Sequence, residues 1–240
     1  MKPKIVEIVF VIDASESMRP CFEGLAASLD QIVQPLQGFN FKVRLGLVGM
    51  SVGKSGCGGK VFQVTTLAGG YNTVYPASPN LFTEDGEAFS AKLRSLELSG
   101  DEHHLIALDF ALDFPFGPLE TTRRVVALFS DEKVEDGLVC EEEMKKIPEL
   151  LTKLMARRIM LFAALPASPA LDALATVDSC QVQPVQGGDG LASVNFSKLL
   201  GQMAKSISNM SLQGAEDPYQ KAVFGQDKWG TGNGSFDGLR

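Results

Sequence analysis

The stretch Ile5–Ser17, IVEIVFVIDASES, decides the fold of this chain. Its first part, Ile5–Ile12, is an apolar run typical of a buried strand. The polar segment Asp13–Ser17 follows at once, and a helical pattern begins near Pro20, a residue favoured in the first turn of a helix. Open α/β sheets bind ligands at loops that follow the carboxyl ends of parallel strands. The stretch therefore predicts a parallel sheet with a candidate site at its edge.

Apolar runs and helical patterns alternate along the rest of the chain, which indicates a parallel sheet with helices on both faces. We predict one doubly wound, Rossmann-like α/β domain over residues 1–212, mostly parallel, with one antiparallel edge strand at Lys60–Thr66. The other predicted strands are Phe41–Met50, Thr122–Phe129, Ile159–Leu165 and Cys180–Val185. The predicted helices are Pro20–Leu36, Glu84–Leu96, Asp101–Phe114, Cys140–Arg157, Pro169–Thr176 and Asn195–Met210. Loops are predicted at Ser51–Gly59 and Gly69–Asn80.

The composition changes over residues 213–240, where Gly, Asn, Asp and Gln dominate. Such a segment cannot bury enough apolar area to order itself. We predict a flexible, Gly-rich C-terminal tail. Its isolated aromatic residues include the only tryptophan, Trp229, so docking on a partner or on this domain is the alternative.

Charge and hydropathy exclude several classes of function. The net charge of −7 and the lack of a dense basic patch argue against nucleic-acid binding. No apolar run reaches the roughly 20 residues that span a bilayer, and the first residues are not expected to form a signal peptide. The four cysteines show neither CxxC pairs nor zinc-ligand spacing, which predicts reduced thiols in a cytoplasmic protein. They are Cys21, Cys57, Cys140 and Cys180.

Asp13, Ser15 and Ser17 offer only hard oxygen ligands, as Mg²⁺ requires. A strand, Asp-x-Ser-x-Ser and a helix in this order resemble the start of a von Willebrand factor A (vWA) domain. In that family these residues open the metal-ion-dependent adhesion site (MIDAS), so the resemblance implies Mg²⁺, or else Mn²⁺ or Ca²⁺, at this loop. From the residues alone, the motif also fits an Asx-type turn with a helix N-cap.

The resemblance implies ligands from two further loops. The third loop of the family carries an Asp just past a buried strand, often within Thr-Asp-Gly. Here Ser130-Asp131-Glu132 takes that place, so Asp131 matches while both neighbours differ.

The second loop departs from the family, which usually supplies a Thr shortly before a helix. This chain has Asp101 and Glu102 there, and either carboxylate is a candidate ligand. Alternatively, Glu102 caps the helix and Ser99 or a water fills the gap. A third carboxylate would hold the cation more tightly but attract an acidic ligand less strongly. His103 and His104 are expected beside the site, where they would modulate its charge near neutral pH.

The expected function is that of a non-enzymatic, Mg²⁺-dependent protein-binding module whose partner supplies an acidic residue. The resemblance to short bacterial cytosolic vWA proteins implies an adaptor, with a MoxR-type AAA+ ATPase or a stress-response system as the expected partner. Neither nucleic acid nor membrane is expected as a partner.

Two other functions remain open from the residues. The first is a Mg²⁺-dependent phosphohydrolase or nucleotide-binding enzyme that uses Asp13 and Asp131. Gly49–Ser55 nearly spells a phosphate-binding loop, although it is one residue short and a strand follows. The second is a metal-independent scaffold that binds through its C-terminal tail.

Overall fold

A computed structural model describes residues 4–54, 60–71, 81–98, 103–136 and 141–213 of the chain. These residues form one eight-stranded sheet with helices on both faces. The strands are β1 (Lys4–Asp13), β2 (Phe41–Lys54), β3 (Lys60–Thr66), β4 (Gly69–Tyr71), β5 (Phe82–Thr83), β6 (Thr122–Phe129), β7 (Ile159–Pro166) and β8 (Cys180–Val185). The helices are α1 (Arg19–Ser28), α2 (Asp30–Gly38), α3 (Gly86–Arg94), α4 (His104–Leu112), α5 (Ile147–Ala156), α6 (Pro169–Leu174) and α7 (Phe196–Gln213).

The strand order is β4-β3-β2-β1-β6-β7-β8, with β5 paired to β2. The strands from β2 to β8 in this order run parallel, whereas β3 runs antiparallel to β2. The predicted mostly parallel sheet is therefore confirmed, including the antiparallel strand at Lys60–Thr66. Two short antiparallel strands were not predicted: β4, which pairs with β3 and takes the edge, and β5.

The hairpin of β2 and β3 is longer than its sequence suggests. β2 continues past Met50 to Lys54, because Ser51 pairs with Gln63 and Lys54 pairs with Lys60. Cross-strand pairing here overrides the turn preference of the local glycines. The predicted loop Ser51–Gly59 is thus partly strand, and the predicted loop Gly69–Asn80 begins with β4; residues 55–59 and 72–80 lie outside the described residues.

Two predicted helices are each interrupted. The helix predicted at Pro20–Leu36 is divided at Leu29 into α1 and α2. At this point the backbone forms a 3₁₀-type hydrogen bond, since Ile32 N donates to Leu29 O, three residues back, at 3.1 Å. The helix predicted at Cys140–Arg157 starts as a 3₁₀ segment, Glu141–Lys146, and becomes α-helical at Ile147. Pro148 lies in the first turn of α5, where its missing N–H costs no helical hydrogen bond.

β1 is buried on both faces, as its continuous apolar run predicts. Ile8, Phe10 and Ile12 pack on the face covered by α1, α2, α3 and α7. Val9 and Val11 pack on the opposite face with α4, α5 and α6. This central strand ends at Asp13, so the core holds that residue in place at the carboxyl edge of the sheet.

The last described helix, α7, continues to Gln213, three residues beyond the predicted helix end at Met210. The predicted tail lies outside the described residues and stays a prediction. Within the described ranges, none of the helices has the length and apolar character needed to cross a bilayer.

Candidate metal site at the carboxyl edge of the sheet

Two neighbouring parallel strands bring the first and third predicted loops together. β1 and β6 are paired up to Ile12 and Phe129, so the residues that follow them lie side by side. Ser130 Oγ donates a hydrogen bond to Asp13 Oδ2 at 2.8 Å, which joins the two loops directly. The sheet thus places Asp13 next to the Ser130-Asp131 pair, as the sequence predicted.

The first loop is a tight turn built on Asp13. Asp13 Oδ1 accepts a hydrogen bond from Ser15 N at 2.7 Å, which is an Asx-type turn. The side chain of Ser15 does not cap the 3₁₀ turn that follows. Instead, Ser15 Oγ lies 3.0 Å from Ser17 Oγ, and Ser17 Oγ donates to Asp131 Oδ1 at 3.0 Å. The backbone therefore forms the turn, while the Ser17 hydroxyl contacts the third loop and the Ser15 hydroxyl lies beside it.

These separations suit a magnesium-sized ion. Mg²⁺ takes octahedral oxygen ligands at 2.0–2.1 Å, which places neighbouring ligands about 3 Å apart. Both the Ser15–Ser17 and the Ser17–Asp131 oxygen pairs have this spacing. Ser15 is buried and Ser17 is exposed, so the cluster is accessible from solvent at Ser17. Among the described residues no three His, Cys, Asp or Glu side chains are arranged to hold a metal ion, so a metal here would depend on the serine hydroxyls.

The two carboxylates are deeply buried: Asp13 is 4% exposed and Asp131 is 1% exposed. Burial raises the pKa of Asp13 to about 6, and the nearby charge of Asp131 adds to this effect. The hydrogen bonds from Ser15 and Ser130 lower the pKa and only partly offset the burial. A cation would remove the repulsion between these two carboxylates.

Cys21, in the first turn of α1, is fully buried close to the site. Burial raises the pKa of its thiol well above the ordinary value, and the charges of Asp13 and Asp131 raise it further. The thiol is therefore protonated near pH 7 in the metal-free protein.

A fourth loop, which the sequence analysis missed, closes the site from the other side. It is the Gly187–Leu191 segment after β8. Gly188 N donates to the backbone oxygen of Asp131 at 2.9 Å, and Gly190 N donates to Asp131 Oδ2 at 2.8 Å. Gly190 has φ +62°, and a Cβ there would lie 1.9 Å from the backbone oxygen of Ser17. The sequence signal was the Gly-Gly-Asp-Gly run after a predicted strand, which permits such positive φ angles.

The second predicted loop is largely outside the described residues, which exclude Ser99, Asp101 and Glu102. The described part begins at His103, whose Nδ1 accepts from Ile106 N at 3.4 Å and so caps α4. The N-cap position of α4 is thus His103, and the roles of Asp101 and Glu102 stay predictions.

His104 does not modulate the site near neutral pH, contrary to the prediction. Its side chain is buried, and both ring nitrogens lack a hydrogen-bond partner among the described residues. Burial, with a smaller effect of His103, lowers the pKa of His104 to about 3. Its imidazole is therefore neutral at pH 7.

The near-match to a phosphate-binding loop is not realised. Gly53 and Lys54 belong to β2 and pair with Val61 and Lys60 of β3. A phosphate-binding loop needs a helix N-terminus directly after it, and the described chain forms a hairpin there instead.

Known proteins match this chain in structure. No protein-family model matches it, and no curated protein matches it in sequence. The SpRpn10 VWA domain superposes with a TM-score of 0.51 at 16% identity, covering 82% of this chain and 94% of that one. Proximal thread matrix protein 1 from the mussel byssus gives 0.52 at 15% identity, with 85% and 48% covered. The pilus adhesin SpaC from Lactobacillus rhamnosus GG gives 0.52 at 13% identity, with 87% and 31% covered.

The chain thus spans nearly all of the first of these structures and less than half of the other two. Identities this low establish the fold alone. The vWA fold predicted from the Asp-x-Ser-x-Ser motif is confirmed.

Proposed function

We propose that this protein is a non-enzymatic protein-binding module whose binding depends on a divalent cation, Mg²⁺ first and Mn²⁺ or Ca²⁺ as alternatives. One observation carries the proposal. The oxygens of Ser15, Ser17 and Asp131 lie at the spacing of neighbouring octahedral ligands, at the solvent-accessible edge of a vWA fold.

Each residue has a defined part in this proposal. Ser15 and Ser17 would bind the ion through their hydroxyl oxygens. Asp131 would orient the Ser17 hydroxyl, as its present hydrogen bond does, and supply negative charge. Asp13 would supply the second charge while its turn holds Ser15 in place. When bound, the ion supplies an open coordination position that attracts a carboxylate of the partner.

The hydrogen bonding of the two carboxylates favours binding of a partner over catalysis. All four oxygens of Asp13 and Asp131 accept hydrogen bonds from the protein, which hold both carboxylates in place. Ser17 donates to Asp131 and lies beside Ser15. A serine nucleophile would need a placed base, and His103 Nδ1 is already engaged with Ile106 N.

The proposed function also includes a ligand from the second loop, a specific partner and a cellular location. Asp101 or Glu102 would complete the site from the second loop. The partner would carry an exposed acidic residue, and a MoxR-type AAA+ ATPase in a bacterial cytoplasm is our specific candidate, by family analogy. The buried free thiols of Cys21 and Cys180 are compatible with a reducing compartment.

Calorimetric titration with Mg²⁺ and Mn²⁺ tests this function. We expect saturable binding of one ion to the wild type and its loss in Asp13→Ala/Ser15→Ala. Asp178→Ala is the control, because Asp178 is exposed and precedes β8, at the end of the sheet opposite the site, and it should bind as the wild type does. Absence of binding in the wild type would contradict metal dependence and favour the metal-independent scaffold.

A further inference from the structure

A groove of about 760 Å³ separates α1 and α2 from α3. Ala26 and Val33 are half-buried, pack on the core and form part of its floor. Ala27 and Ala91 are exposed and line it from the two sides. These short side chains leave the helices apart and expose a narrow apolar strip on the floor of a groove whose other lining residues are mostly polar.

The groove lies toward the end of the sheet opposite the metal site. Glu84, on its rim, pairs with Lys42 at 2.6 Å, and Lys42 is at the start of β2. Arg94, at its other end, pairs with Glu23 in the first half of α1 at 3.0 Å. The groove thus extends from the amino edge, at Glu84, toward the middle of α1, at Glu23.

The rim of the groove is acidic. Asp30, Glu84, Asp85 and Glu87 line it, and the only cation among the lining residues is Arg94, whose charge is already balanced by Glu23. In the part of the chain that the structure describes, Asp30 and Glu87 have no ion-pair partner. An apolar floor between acidic rims is complementary to a segment that is apolar on one face and basic at its sides.

We propose that this groove binds an amphipathic helix of a protein partner, with small apolar residues at helical spacing toward the floor and Lys or Arg toward Asp30 and Glu87. The groove is bounded by helices, and α3 has nine residues, or about 14 Å, which accommodates about three turns. Helix-in-groove recognition uses anchors at i, i+3 or i+4, and i+7. Exposed ion pairs contribute little affinity individually, so the floor supplies affinity and the acids set orientation.

The probe for this surface is a fluorescein-labelled helical peptide of about 14 residues, built of Ala and Leu on one face and Lys on the other. All titrations are run in EDTA, so the result does not depend on the metal site. We expect saturable binding in fluorescence anisotropy and shifts of the Ala26, Val33 and Ala91 amide signals in ¹H–¹⁵N spectra. A peptide with Glu in place of Lys should not bind.

Two variants localise the binding. Asp30→Lys/Glu87→Lys should weaken it about tenfold, whereas Glu120→Lys/Asp178→Lys, which changes net charge equally at exposed positions elsewhere, should change it little. Ala91→Phe should abolish binding by filling the groove without changing charge. Equal weakening by both charge variants, binding without shifts in the groove, or no binding at all would overturn the proposal.

Discussion

Asp13 ends the central strand with a buried carboxyl group whose pKa burial raises from 3.8 to about 6. The unfolded chain loses this proton near pH 4, whereas the folded chain keeps it until about pH 6. The metal-free protein therefore loses stability as the pH rises from about 4 to 6. At about 1.4 kcal/mol per pKa unit, the ionised group costs up to about 3 kcal/mol at neutral pH.

Asp13→Asn should remove this cost. In EDTA at pH 7.5 we expect its unfolding free energy to exceed that of the wild type by about 1–3 kcal/mol, with little difference at pH 4. Added Mg²⁺ should stabilise the wild type and not the variant, because the variant lacks one charge of the site. Urea unfolding measures both effects, with exposed Asp136→Asn as the control. A variant less stable than the wild type at pH 7.5 in EDTA would contradict the account of Asp13.

His104 has the opposite linkage, since burial lowers its pKa from 6.5 to about 3. Its neutral form stabilises the fold above pH 6.5, and that stability is lost as the pH falls toward 3. His104→Leu removes both the titration and two buried nitrogens without hydrogen-bond partners. We expect a gain of about 1–2 kcal/mol at pH 7.5 and about 2 kcal/mol more at pH 5.

The control for this prediction is His104→Gln, which keeps a buried polar group and should gain little at pH 7.5. Urea unfolding at the two pH values distinguishes the variants. An equal gain for His104→Leu at both values would show that His104 does not titrate in this range.

The Gly187–Leu191 loop is the element that completes the site around Asp131. At Gly190 the positive φ and the contact with Ser17 oppose any side chain, whereas at Gly188 φ is +77° and the space around it is open. Gly188→Ala should therefore cost about 1 kcal/mol, the backbone penalty alone.

Gly190→Ala should cost more than Gly188→Ala, because its Cβ must displace the Ser17 backbone. It should also weaken Mg²⁺ binding, since the loop's hydrogen bond to Asp131 Oδ2 is disturbed. Urea unfolding and calorimetry measure the two effects. Equal behaviour of the two variants would show that the close contact at Gly190 has no energetic role.

Some elements of the fold and the site were predictable from the sequence, and others were not. The run Ile5–Ile12 predicted the central strand, and the alternation of strands and helices together with the resemblance to the vWA family predicted the fold. The resemblance also implied that Asp131, which follows a buried strand, lies near Asp13. The Gly187–Leu191 loop was missed because its role depends on backbone donors, which carry no side-chain signal. The length of β2 and the break at Leu29 were missed because long-range pairing and a local tightening of the helix override residue preference.

At the scale of the whole molecule, the two ends of the sheet differ in how buried charge is balanced. At the amino edge, the buried Glu7 forms an ion pair with Arg44 and accepts from Gly117 N at 2.7 Å. At the carboxyl edge, Asp13 and Asp131 lie together, and among the described residues no Lys or Arg pairs with them. Buried charges are normally paired or bound to metal, so this asymmetry favours a cation at the carboxyl edge.

The two proposed binding surfaces lie toward different ends of the sheet. The metal site opens at the carboxyl edge, while the groove between α2 and α3 extends toward the amino edge.

The position of a bound ion tests the central claim most directly. Crystals grown with Mn²⁺ and measured at its absorption edge locate the metal in an anomalous difference map. The account predicts a single strong peak within bonding distance of Ser15 Oγ and Ser17 Oγ, next to Asp131, and its absence in Asp13→Ala/Ser15→Ala crystals. A map without a peak at these hydroxyls, or with the ion bound elsewhere, would contradict it.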